Sequence, residues 1–95
     1  MINTQNLRAI IVNLIEQENK LRMAYEEAKE QNSHAYKRML VWEKAYTASD
    51  DDEEVAQIFD DVYDKYSETE EQVEAIDVAL EALHDATKAI GRLCL

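Results

Sequence analysis

Few side chains in this chain have the type and spacing for chemistry. Glu81 and His84 stand three residues apart, as Glu81-Ala-Leu-His84. That is the spacing at which a bundle helix offers a carboxylate and an imidazole to a metal pair. Glu18 is a seam carboxylate, so two copies would gather four Glu and two His. The angles oppose this: Glu81 falls about 130° from the centre of its own seam and points to water. Asp50, Asp52 and Glu54 alternate like the opening ligands of a calcium loop, but Val55 stands where that loop needs glycine. His34 and His84 have no triad partner at a suggestive spacing. Cys94 is the single cysteine, so no intrachain disulfide forms, and it reads as a small seam residue. No Gly-rich phosphate loop and no basic stripe interleaved with aromatics occurs. The sequence therefore predicts no catalytic residue, no cofactor, no metal and no direct nucleic-acid binding. Trp42, Tyr46 and Phe59 gather near the expected turn, where core packing is the expected role.

Charge is the next signal. The chain of 95 residues carries a formal net charge of −11. Residues 50–74 hold twelve acids against one base, Lys65, and account for all of it. Asp50, Asp51, Asp52, Glu53, Glu54, Asp60, Asp61, Asp64, Glu68, Glu71 and Glu74 form the expected partner-binding surface. Such a block repels nucleic acid and attracts basic surfaces.

The elements that would position these groups are helices. One Gly, no Pro and 46% hydrophobic residues leave almost no turn chemistry, which argues against most β architectures. From Val55 to Cys94 the positions Val55, Phe59, Val62, Tyr66, Thr69, Val73, Ile76, Leu80, Leu83, Thr87, Ile90 and Cys94 alternate by four and three. That is a coiled-coil seam. Leu7, Ile11, Leu14, Glu18, Leu21, Tyr25, Ala28, Asn32, Ala35, Met39, Trp42 and Tyr46 repeat the pattern. The prediction is one helix over about 4–47, capped by Asn3 or Thr4, and a second over about 50–92, capped by Ser49 or Asp50. With a turn near 47–50, the expected fold is all-α: a single domain, residues 1–95, forming an antiparallel two-helix coiled-coil hairpin.

The register follows from pairing seam with seam. If opposed residue numbers sum to about 101, every seam position meets another, and the polar Asn32 meets the polar Thr69. One flank then sets Arg22 against Asp77, Lys29 against Glu70 and Tyr36 against Tyr63. On the other flank Arg38 meets Lys65, a like-charged pair. Beside that flank a further stripe, Ala75, Ala79, Ala82, Ala86, Ala89 and Leu93, would lie exposed together with Ile10. These residues are the expected self-association surface, giving a homodimeric four-helix bundle with the acidic turn ends projecting.

Several families are similar at the level of architecture. A dimer of hairpins resembles Rop, but Rop binds RNA and the net charge here opposes that. The length, the hairpin and a Trp before the turn are similar to WXG-type proteins exported by type VII systems. Here Trp42-Glu43-Lys44 lacks the defining Gly, and Tyr66-Ser67-Glu68-Thr69-Glu70 places its Tyr-x-x-x-Glu spacing mid-helix. In size, charge and helicity the chain resembles small acidic nucleic-acid mimics of phages and plasmids, among them anti-CRISPR and anti-restriction proteins, with no shared motif. The functional expectation is a non-enzymatic protein whose acidic face binds a basic protein, as an inhibitor of a nucleic-acid-binding machine. The alternative is an adaptor or exported hairpin binding through its apolar stripe. No membrane span or signal-peptide profile is read, so a cytoplasmic location, the host's if phage-encoded, is expected; leaderless export is compatible with it.

Overall fold

The computed structural model describes residues 3–93 and is an all-α helical hairpin: α1 (Thr4–Ala48), a short turn, and α2 (Glu53–Leu93). Asn3 caps α1 by accepting hydrogen bonds at Oδ1 from the Gln5 and Asn6 amides, 3.0 and 3.4 Å. Helix α1 runs through Asn32-Ser33 without a break. Cys94, and with it the expected Leu7–Cys94 layer, lies outside the described residues. The chain divides into two compact units. The turn unit is residues 26–74; the terminal unit joins 1–25 to 75–95.

In the turn unit the expected register is present. Asn32 Nδ2 donates to Thr69 Oγ1 at 3.1 Å, and the Thr69 hydroxyl donates to the Tyr66 carbonyl at 2.8 Å. Thr69 is only 2% exposed, so this bonding removes the cost of burying an unpaired hydroxyl. Around it Ala28, Ala35, Met39 and Val62 are buried. Small alanines at seam positions of α1 let the α2 backbone come close, while the larger Val62 and Met39 fill the space left. Tyr46 departs from the expectation. Read as the last seam layer, opposite Val55, it is instead 49% exposed and stacks on Phe59, with ring centroids 5.3 Å apart.

The turn also departs from the expectation, by two to three residues. Neither Ser49 nor Asp50 caps α2; Asp52 does, accepting from the Glu54 and Val55 amides at 2.9 and 3.3 Å. Ser49 belongs to the end of α1, where both its amide and its hydroxyl donate to the Tyr46 carbonyl. Asp50 (φ 37°) and Asp51 (φ 63°) then take left-handed backbone angles that reverse the chain. Aspartate is among the few non-glycine residues that visit this region.

In the terminal unit the seam residues Leu7, Ile11, Leu14, Leu21, Ile76, Leu80, Leu83 and Ile90 are half-buried, and no described residue is fully buried. Thr87 turns its hydroxyl onto the Leu83 carbonyl of its own helix, 2.9 Å, which satisfies it without a partner across the seam.

Candidate interaction surface

Helical spacing places the carboxylates of residues 53–74 on every face of α2 except the seam, and Asp50, Asp51 and Asp52 precede it in the turn. Ten of the eleven expected partner-binding residues are exposed and not used in capping: Asp50, Asp51, Glu53, Glu54, Asp60, Asp61, Asp64, Glu68, Glu71 and Glu74. Asp52 is exposed too, but its carboxylate is committed to the cap of α2. Asp61 accepts a hydrogen bond from Gln57 at 3.2 Å, and Glu68 lies 4.0 Å from Lys65. The turn unit holds 16 acids and 5 bases, a net −11; the terminal unit holds 5 of each and is neutral.

Two of the flank expectations change. Arg22 does not reach across to Asp77; its Nη2 lies 3.2 Å from Glu18 Oε1, one turn away on α1. Tyr36 packs on Tyr66 rather than directly on Tyr63, with centroids 5.5 Å apart and Tyr63 in turn 6.4 Å from Tyr66. The like-charged pair Arg38 and Lys65 lines one open groove of about 540 Å³, with Ala35, Val62 and Thr69 as its floor and Asp61 and His34 beside them. Lys65 turns toward Glu68.

Two features escaped the sequence reading. The first is a continuous set of aromatic contacts in the turn unit: Tyr46 to Phe59, Phe59 to Tyr63 (6.2 Å), Tyr63 to Tyr66, and Tyr66 to Tyr36. Partial burial raises the Tyr66 hydroxyl above the ordinary 10.0, and the negative charge of the nearby Glu70 carboxylate raises it further, as do Tyr36 and Tyr63. The legible signal was Tyr36 and Tyr63, each one residue beyond a seam position. The second is in the terminal unit. Glu18, with its side chain only 12% exposed, receives both Arg22 and His84 Nδ1, the latter at 3.2 Å across the helices. His84 follows Leu83, the expected partner of Glu18, so adjacency alone would have found it.

The expected self-association residues Ile10, Ala75, Ala79, Ala82, Ala86, Ala89 and Leu93 all fall in the terminal unit, and all are exposed. Among the described residues no three His, Cys, Asp or Glu converge as metal ligands. No described helix is long and apolar enough to cross a membrane. No protein-family model matches the chain, and no curated protein or solved structure matches it.

Proposed function

We propose that this chain is a non-enzymatic interaction protein with its two tasks divided between the two units. The turn unit presents its carboxylates to a basic protein surface. The terminal unit pairs with a second copy through Ile10, Leu93 and the alanine stripe. The favoured partner is a protein whose basic groove is made for phosphates, so that the carboxylates occupy that groove and inhibit a nucleic-acid-binding machine. On this reading the protein works in the cytoplasm, the host's if it is phage-encoded, and binds neither nucleic acid nor membrane itself. One observation carries the reading. The entire net charge of −11 sits on the turn unit, with its carboxylates in water, while the other unit is neutral. A charge placed only for solubility has no reason to be so partitioned.

The test is charge reversal away from the cap. Asp60→Lys, Asp61→Lys and Asp64→Lys together change the unit by six charges and leave Asp52 in place. Binding to a basic partner should be lost, with helicity by circular dichroism unchanged. Retained binding would reject the proposal. A second reading is favoured by the exposure of Val12, at 57%, and Leu93, at 56%, in the terminal unit. There the apolar stripe itself holds the partner, as in an adaptor or an exported hairpin.

A further inference from the structure

We infer that the aromatic ladder of the turn unit is a docking face for arginine, so that the basic partner presents guanidinium groups rather than ammonium groups. This rests on the acidic-surface reading above and specifies its occupant. Six of the chain's seven aromatic residues lie in the turn unit, together with the whole net charge. Packing explains the seam rings Phe59 and Tyr66, which are half-buried. It does not explain Tyr36, Tyr46 and Tyr63, which remain 43%, 49% and 49% exposed. Phe59, Tyr63 and Tyr66 recur at helical spacing along one edge of α2, and Tyr36 and Tyr46 complete the ladder from α1.

Carboxylates border these rings. Glu70 stands near the Tyr66 hydroxyl, one helical turn along α2, and Asp60 stands one helical turn before Tyr63. A cation arriving here meets a carboxylate and a ring face together. A guanidinium can use both at once, lying flat on a tyrosine while its N–H fork engages the acid. A compact, strongly hydrated ammonium gains mainly the Coulomb attraction. The ladder turns a general attraction for positive charge into a preference for one cation.

The test is calorimetric titration of the full chain with nona-arginine and with nona-lysine at low and moderate salt. Nona-arginine should bind about tenfold more tightly, a few-fold from each of two rings. Tyr36→Leu with Tyr63→Leu keeps apolar bulk and removes the ring faces. It should bring nona-arginine close to nona-lysine and leave nona-lysine unchanged. In the unaltered protein, NMR ring-proton resonances of Tyr36 and Tyr63 should shift with the arginine peptide alone, a readout that does not depend on the variant folding. Equal affinities, or an arginine preference that survives the substitutions with unmoved ring resonances, would overturn the inference and leave the acidic-surface reading standing. Failure of both peptides to bind at low salt would sink both.

Discussion

Asn32 and Thr69 carry more of the pairing specificity than any apolar layer. Apolar layers tolerate a shift by one heptad, because Val73, Ile76 and Leu80 resemble one another as partners. A bonded polar pair does not, since a shifted register would leave the Asn32 amide without its acceptor, while the Thr69 hydroxyl would keep only the bond to Tyr66 of its own helix. The two bonds at the Thr69 hydroxyl, 3.1 and 2.8 Å, use it both as acceptor and as donor. Asn32→Ala should cost about 1–2 kcal/mol, and Thr69→Val a similar amount. The double substitution should cost less than the sum, with a coupling of about 1 kcal/mol by urea denaturation. Additive losses would mean that the bond contributes nothing to stability. Replacing both with leucine should raise stability while loosening the register, which distance labels within the turn unit would reveal.

At the scale of elements, the helices were legible and the turn between them was not. An alternation of four and three sustained over each half leaves no other regular structure, and every described seam position except Tyr46 is half-buried or buried. The junction was ambiguous because Ser49, Asp50, Asp51 and Asp52 are all good caps, so the local rule selects none of them. The backbone decides. Two left-handed residues are needed to reverse the chain after Ser49, and only then is a carboxylate placed to receive amides of α2. Asp52→Ala should therefore destabilise the fold by about 1 kcal/mol, and Asp50→Gly, which suits the left-handed φ of 37° at that position, should not. Asp51→Gly should stabilise, since glycine adopts φ near 63° without a steric penalty. A gain of about 1 kcal/mol would lift the thermal midpoint by roughly 4–8 °C. The opposite ranking of the Asp52→Ala and Asp50→Gly variants would return the cap to Asp50. The aromatic ladder was hidden for a different reason: Tyr36 and Tyr63 lie just off the seam, where sequence spacing distinguishes neither a packed flank from an open one nor the ring that each touches.

The whole molecule joins a neutral unit and a unit of net charge −11, and salt should act on them with opposite signs. If two copies meet through the terminal stripe as proposed, they bring together two like charges of −11. Added salt screens that repulsion and should strengthen the dimer. A basic partner held by the turn unit is attracted by the same charge, so added salt should weaken its binding. Light scattering and partner titration across roughly 0.05–0.5 M salt, a range that takes the Debye length from above 10 Å to well below it, would show the opposed slopes. Ala82→Arg with Ala86→Arg places two cations on the stripe at positions where arginine is a good helix former. It should abolish the dimer, with helicity unchanged and partner affinity changed little. If the same variant abolishes partner binding, and that binding is indifferent to salt, then the stripe is the partner's site. The carboxylates would then serve only to keep the protein dissolved.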